Sequence, residues 1–413
     1  MAREILVLGA GMIGTCTALE LQLRGHHVVL VDRRPPGEEA SYGNAGLIQG
    51  EAVEPYAMPR DWRALLSVAL RRGIDVNYHV GGVLAARSAL VQYWRASSPP
   101  MHRGISRQYA GLIQHATTEH SRVMELAGAR DLLRRDGLRF VYRTEQAFDT
   151  AMLQAHRLQR DYEIRHSALS SKELAAAEPG FLNPLAGAVH WLDSWSVTNP
   201  GALVQRYAEL FQQRGGMLFN GDASSLRKCG TKWQAQTMDG VVQADHAVVA
   251  MGAWSGEVTR RLGYLWPLFI KRGYHRHFVG GAKLNVPTLD AEVGYVLSPQ
   301  QRGLRITSGA EIARQDAKPT PRQLHGAEAR ARELLELGRP VEGQPWMGLR
   351  PCCADMKPII GAAPRHPGLW INCGHGHHGF TLGPASARLL ADLMDGEIPY
   401  TDAEAFSPTR FGG

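Results

Sequence analysis

The sequence predicts an α/β fold in two parts. One is a Rossmann-like dinucleotide-binding domain assembled from separated segments; the other is an α+β domain with a mixed antiparallel sheet. Three observations predict it. The chain opens with strand, glycine turn, helix and strand in register over residues 3–32. Two further strand-and-glycine units follow far downstream, at residues 244–255 and 369–396. Between them lie helical stretches and a strand-rich run from Leu265 to Ile312.

In the first unit, Arg3 to Leu8 reads as a short buried strand. Gly9, Gly11 and Gly14 follow in the spacing G-x-G-x-x-G, and Met12 to Arg24 contains helix formers and no proline. Gly25 stops that helix, and Val28 to Val31 forms a second buried strand ending at Asp32. Gly9 permits the tight turn, Gly11 lets backbone approach a pyrophosphate, and Gly14 lets helix and strand pack closely. The helix start at Met12 and Ile13 offers unpaired N–H groups and a partial positive charge to phosphates. Asp32 is placed to accept hydrogen bonds from ribose hydroxyls. The motif by itself does not separate NAD from FAD.

Arg33-Arg34-Pro35-Pro36-Gly37 is a charged loop with helix breakers. The stretch Glu39-Ala40-Ser41-Tyr42-Gly43-Asn44-Ala45-Gly46 is small, polar and glycine-rich, so it can lie close to a ligand or form an ordinary surface loop. Trp62 to Leu70 and Tyr109 to Leu126 carry apolar residues at helical spacing, with Ser97-Ser98-Pro99-Pro100 read as a break. Gly137 to Tyr142 reads as strand and Phe148 to Tyr162 as helix. Asn199-Pro200 supplies a helix cap and first-turn proline for a helix reaching about Arg214. A small hairpin is expected around Asp239-Gly240. Ala244 to Ala250 then leads as a strand into Met251-Gly252-Ala253-Trp254-Ser255. Tyr274 to Val279, Gly294 to Leu297 and Leu304 to Thr307 read as strands, and Gln323 to Leu337 as helix. The last unit is the strand Leu369 to Asn372, the loop Gly374-His375-Gly376-His377-His378-Gly379 and the helix Pro384 to Met394.

The 413 residues, 44% hydrophobic and 21% charged, describe an ordinary globular protein of one large or two smaller domains. No run approaches the ~18 apolar residues of a membrane span, and the first strand leads straight into the glycine turn without a cleavable leader. The expected location is the cytoplasm, with any membrane contact peripheral on its inner face. The five cysteines, Cys16, Cys229, Cys352, Cys353 and Cys373, include no C-x-x-C pair and read as reduced thiols. The net charge of +7 comes from scattered basic residues with small clusters such as Arg71-Arg72 and Arg260-Arg261. That pattern suits a solvated basic surface better than a nucleic-acid stripe.

Together and in this order, these stretches resemble the FAD-dependent amine and D-amino-acid oxidoreductases of the D-amino-acid oxidase and glycine oxidase superfamily. The matching pieces are the glycine motif to Asp32, Ser41 with Asn44-Ala45-Gly46, Val248 to Ser255, Lys271 to Tyr274, Gly348-Leu349-Arg350-Pro351 to Gly361, and Gly374-His375-Gly376 with its helix. Within the superfamily the chain is most similar to the bacterial D-amino acid dehydrogenase branch. Two departures bear on substrate preference. The loop after Cys352 runs Ala354-Asp355-Met356, where the family usually has glycine after the aspartate, and Lys271-Arg272-Gly273-Tyr274 carries an extra residue. The run from Arg272 to His277 also looks like the subgroup acting on cyclic secondary D-amino acids.

The resemblance implies non-covalent FAD held by Gly9, Gly11, Met12, Ile13, Gly14, Asp32, Arg33, Ser41, Asn44, Ala45, Gly46, Gly252, Trp254, Gly376, Gly379 and Thr381. It implies an FAD-binding domain of residues 1–60, 187–262 and 345–413, and a substrate-binding domain of residues 61–186 and 263–344. The implied reaction is oxidation of a D-amino or D-imino acid, with hydride passing from Cα to flavin N5. The imine then hydrolyses to a 2-oxo acid and ammonia, and the electrons pass to a quinone or other non-oxygen acceptor. The last loop and helix would set a positive helix end at the flavin's pyrimidine edge.

Arg350, a cation in an apolar turn, is the expected carboxylate ligand, with a buried structural ion pair as its alternative. Tyr274 is expected to donate its hydroxyl to the same carboxylate, or else to be a half-buried strand residue. His375 is expected at the reacting centre and His377 in the substrate pocket. No cysteine or carboxylate set completes a metal site with these histidines, so no metal is expected. Alternatives are a D-hydroxyproline or D-proline dehydrogenase, a glycine- or sarcosine-type amine oxidase, an RNA-modifying flavoprotein domain and a non-catalytic flavin subunit. The absence of a continuous basic stripe argues against RNA, and Arg350 with Tyr274 argues for catalysis.

Overall fold

Ile5 to Leu8 is apolar at every position, so the strand needs cover on both faces. It finds that cover inside a sheet. The computed structural model describes residues 1–71 and 73–412; Arg72, half of one basic pair named above, lies outside the described residues. Among those residues the strands form three sheets. The first runs Gly240–Ala244, Lys232–Thr237, Met217–Cys229, His27–Asp32, Glu4–Leu8, His246–Val249, Leu369–Cys373, Ile359–Ala362. Its five middle strands, from Met217–Cys229 to Leu369–Cys373, are parallel neighbours. The three outer strands pair antiparallel. The helix Met12–Leu23 is buried along most of its length. It packs on Pro200–Gln213 and Gly383–Asp395. A Cβ at Gly383 would stand 2.5 Å from Met12 Cγ, so glycine sets how near those two helices come.

The second sheet is centred on the long strand Leu268–Gly280. That strand pairs antiparallel with Gly303–Thr307, Ala310–Ile312, Gly338–Pro340 and Trp346–Cys353. The sheet continues through Tyr295–Gln300, Thr288–Asp290, Leu138–Tyr142, Gly187–Trp191 and His166–Ser170. Two expected domain edges shift as a result. Gly187–Trp191 lies in this sheet, between Leu138–Tyr142 and His166–Ser170, and not in the dinucleotide sheet. Trp346–Cys353 also belongs here, and the chain returns to the first sheet only at Ile359. Both strands are apolar enough for either sheet, so long-range pairing decides. A third small sheet, Leu47–Ile48, Trp195–Val197 and Leu133–Arg134, joins segments from both parts.

Ser97-Ser98-Pro99-Pro100 does end the helix Arg87–Ala96, but it also starts a 28-residue helix, Pro99–Leu126. Proline at the first turn forfeits only N–H groups that have no helical partner there, so the same residues stop one helix and open the next. The Asn199 cap forms as expected, its side chain accepting the Ala202 N–H at 3.0 Å. Met356, standing where the resembled family has glycine, adopts φ +64°, the left-handed conformation glycine would take freely.

Candidate active site

A cavity of about 820 Å³ runs from the first glycine turn to the Leu268–Gly280 and Trp346–Cys353 strand pair. At its first end, Gly9 has φ +102°, and a Cβ there would sit 2.6 Å from Ala250 O. A Cβ at Gly14 would meet Gly9 O at 1.7 Å. Both positions therefore admit only glycine, and the turn is held flat against the neighbouring strand. Asp32 Oδ2 accepts the Ala10 N–H at 2.7 Å, and Oδ1 accepts the Arg34 N–H at 3.0 Å, which fixes the carboxylate at the cavity wall. Arg33 lies over the Trp254 ring at 4.5 Å from its centroid and lines the same end with Gly252.

Ser41 Oγ accepts the Met12 N–H at 2.9 Å and so caps the first turn of the glycine-motif helix, leaving its own proton to donate. Asn44 Oδ1 accepts the Gly46 N–H at 2.8 Å and ties the small-residue loop into a turn. Gly9, Gly11, Met12, Ile13, Asp32, Arg33, Ser41, Asn44, Ala45, Gly252, Trp254, Gly376 and Gly379 all line the cavity. Three expected cofactor residues do not. Gly14 serves strand–helix contact. Gly46, at φ +77°, passes under Val197 O, where a Cβ would stand at 2.4 Å. Thr381 Oγ1 donates to Leu47 O and accepts from Gln49 N–H, both at 3.2 Å, behind the wall. An extended cavity with a glycine cradle, a capped helix start and a carboxylate at the end of the second strand fits an FAD.

The histidine loop is sewn to the arginine strand: Gly376 N–H donates to Pro351 O at 2.8 Å, and His375 bridges Cys352. Burial pushes the His375 imidazole down to about 3 and the His378 imidazole down to about 4. His377 is also driven well below its ordinary value, by burial first and then by the charges of Arg350 and Lys271. All three are neutral near pH 7. His375 Nε2 is buried without a protein partner, and His375 and His377 line the cavity.

Arg350 lies in the cavity wall, its Nη1 donating to Gly309 O at 2.9 Å and Arg272 O at 3.3 Å. Its Nη2 donates to Ser308 O at 3.4 Å, and among the described residues it has no carboxylate partner. Its guanidinium lies over Gly273, where a Cβ would stand 2.4 Å from both terminal nitrogens. Tyr274 also lines the cavity, but its hydroxyl is engaged elsewhere. Its hydroxyl donates to Glu311 Oε2 at 2.6 Å and accepts the Thr320 N–H at 2.8 Å, so its one proton is committed. The reason is strand parity: Lys271 and Gly273 share the face of Arg350, and Arg272 and Tyr274 share the other. Arg272 pairs with Glu311 on that other face.

Sequence reasoning missed Tyr56 and Lys271. Tyr56 stacks on His378 at 5.6 Å and meets His377 edge-on at 5.1 Å. The residue is 52% exposed and lines the cavity; the protein crowded around it, then the charge of Glu51, raises the phenol above its ordinary value, so it stays a hydrogen-bond donor. No motif marks Tyr56, which lies in an irregular segment. Lys271 was in view, but only the register of Leu268–Gly280 on Trp346–Cys353 puts it beside Arg350.

Fold and site define a flavin-binding oxidoreductase. The chain belongs to the family described as FAD dependent oxidoreductase, whose sequence model matches residues 4–393. It is 28% identical to a D-amino-acid oxidase of Bradyrhizobium diazoefficiens, over 99% of each chain. It is 27% identical to a D-amino acid dehydrogenase of Chromohalobacter salexigens, again over 99% of each. Its fold is similar to that of glycine oxidase from Geobacillus kaustophilus, with a TM-score of 0.73 over the whole of both chains at 20% identity.

Proposed function

We propose that the enzyme oxidises the Cα–N bond of a D-amino acid to an imino acid that hydrolyses to a 2-oxo acid and ammonia. The observation that carries this reading is Arg350, a guanidinium that burial disfavours, kept in the cavity wall without an acidic partner among the described residues. Its partners are the backbone carbonyls of Gly309, Arg272 and Ser308, so its charge is left for a ligand to neutralise, and a planar fork suits a carboxylate. When bound, FAD supplies the hydride acceptor for Cα. Arg350 holds the carboxylate and so orients Cα toward the histidine loop that its own strand fastens. Tyr56 and neutral His377 line the space for the amine and side chain without adding charge that would repel an ammonium. The relatives named as D-amino acid oxidase and dehydrogenase support the substrate class.

The acceptor reading is a quinone or electron-transfer partner other than oxygen. The helix Trp62–Ala69 turns Leu65 and Val68 to the cavity and exposes Trp62 and Leu66. That apolar cover suits a lipophilic acceptor reaching the site from outside. Among the described residues no helix is long and apolar enough to cross a membrane, so the membrane contact we infer is peripheral.

A panel of D-, L- and cyclic amino acids with a dye acceptor tests the reaction, and peroxide forming as fast as dye is reduced would replace the dehydrogenase reading with an oxidase. Arg350→Ala is expected to lower kcat/KM by roughly 100-fold or more, the loss of ~3 kcal/mol of transition-state binding, with FAD content normal. Arg350→Lys keeps the charge, loses the fork and is also expected to be impaired. Near-normal kcat/KM in Arg350→Ala would remove it from the site.

A further inference from the structure

We propose that Lys271 is a second anion-binding group in the substrate pocket, so that the preferred amino acids carry an acid on the side chain as well as the α-carboxylate. This rests on the amino-acid reading above and narrows it.

Lys271 and Arg350 are direct register partners on adjacent antiparallel strands. Their side chains therefore leave the same face of the sheet, on Cα atoms on the order of 5 Å apart. Like charges in that relation destabilise a sheet. Both line the large cavity. Lys271 is only 9% exposed, and its one hydrogen bond is to Tyr93 Oη at 3.2 Å. An ammonium has three donors, so two remain unused. Among the described residues neither cation has an ion pair. By contrast, the buried Arg272 is paired with Glu311, and Lys357 lies 3.9 Å from Asp355.

Among the described residues no carboxylate stands within ion-pairing distance of either cation. Burial pushes the Cys352 thiol up, and His377 is neutral. Glu311 lies on the far face of the sheet with Arg272. Glu51 is spent on Ser194 and Gln49. The two heads also lean apart. Arg350 lies over Gly273, whereas Lys271 Nζ sits 4.4 Å from the Tyr93 ring centroid and 5.5 Å from that of Phe269, two residues the other way along the strand. Heads that diverge suit two separate acids of one ligand better than a single shared carboxylate. The adjoining cavity beside Lys271 and Tyr93 measures only about 30 Å³. That is room for roughly one water, so a second acid meets Lys271 from the large cavity that both cations line. The substrate class is an aspartate- or glutamate-sized D-amino acid.

The test uses the flavin-loaded enzyme with a dye acceptor and compares each acid with its amide: D-glutamate with D-glutamine, and D-aspartate with D-asparagine. The acid is expected to exceed its amide in kcat/KM by about tenfold or more, the worth of one desolvated charge-assisted contact. In Lys271→Met that ratio is expected to collapse toward one, and in Lys271→Arg to be partly restored. In the wild type, glutarate is expected to perturb the flavin spectrum at about tenfold lower concentration than butyrate, a measurement that needs no variant to fold. Wild-type enzyme without acid preference overturns the inference. So does a Lys271→Met enzyme that loses acid and amide activity equally, since Lys271 would then serve the α-carboxylate or the flavin. A panel in which no amino acid reduces the dye overturns the underlying reading instead.

Discussion

At Gly273 the absence of a side chain decides where a charge can lie. The Arg350 guanidinium crosses directly over its Cα, at a place where an added Cβ would come within 2.4 Å. Gly273→Ala is therefore expected to displace Arg350 and raise KM for the amino acid roughly tenfold or more, the scale of one lost charge-assisted contact, while FAD stays bound. Steady-state kinetics beside the flavin absorbance ratio check this, and an unchanged KM would mean the arginine has another resting place. Tyr274 gives the opposite expectation. Its hydroxyl serves Glu311, which burial would raise but which hydrogen bonds from Thr320 and Tyr274 and the Arg272 charge hold below its ordinary value. Tyr274→Phe should cost about 1.5–3 kcal/mol of stability by denaturant unfolding, with little change in kcat/KM. A large fall in kcat/KM at unchanged stability would return Tyr274 to the substrate.

On the scale of elements, the nucleotide end depends on strand and helix termini meeting at one point. The strand His27–Asp32 ends with its carboxylate gripping the Ala10 and Arg34 N–H groups. The helix Met12–Leu23 starts under the Ser41 hydroxyl. Asp32→Ala removes a brace of the glycine turn together with the carboxylate expected to accept from the ribose. FAD affinity is expected to fall by about 1.5–3 kcal/mol, roughly 10- to 100-fold, with kcat recovering at saturating FAD. Titration of apoenzyme by flavin fluorescence checks it. A kcat that stays low when FAD saturates would mean that the distortion travels to the substrate end.

The molecule as a whole encloses neutral histidines where its long helix meets the final loop: His378 Nδ1 pairs with Tyr109 Oη at 2.8 Å, and His120 Nε2 with Phe380 O at 3.0 Å. His375, His378 and His120 are pushed down to about 3, 4 and 4, chiefly by burial. In the unfolded chain such groups titrate near 6.5. Below that pH the unfolded state binds protons that the folded state refuses, so stability falls as pH drops from about 6.5 toward 4. It is fully present above that window. Each histidine contributes up to about 1.4 kcal/mol per pH unit. Thermal unfolding between pH 7.5 and 5 should show Tm falling steadily on the acid side, before most carboxylates protonate. A flat Tm from 6.5 to 5 would mean that the imidazoles charge in place.

Local chemistry carried much of this in the sequence. Strand, glycine turn, helix and acid occur within thirty residues, and each residue type there answers to backbone sterics or to a helix end, so residues 3–32 are legible in isolation. The same holds for the Asn199-Pro200 cap. What the sequence left open depends on partners distant along the chain. Whether Gly187–Trp191 and Trp346–Cys353 join the first sheet or the second is settled by pairing with strands dozens of residues away. Alternation puts Lys271 with Gly273 and Arg272 with Tyr274 wherever the strand begins, but which set faces the cavity is decided by the pairing of Leu268–Gly280 with Trp346–Cys353. That pairing turned Tyr274 toward Glu311 and put Lys271 beside Arg350. A charge or hydroxyl acquires its role from what it faces, and only the folded chain brings those faces together.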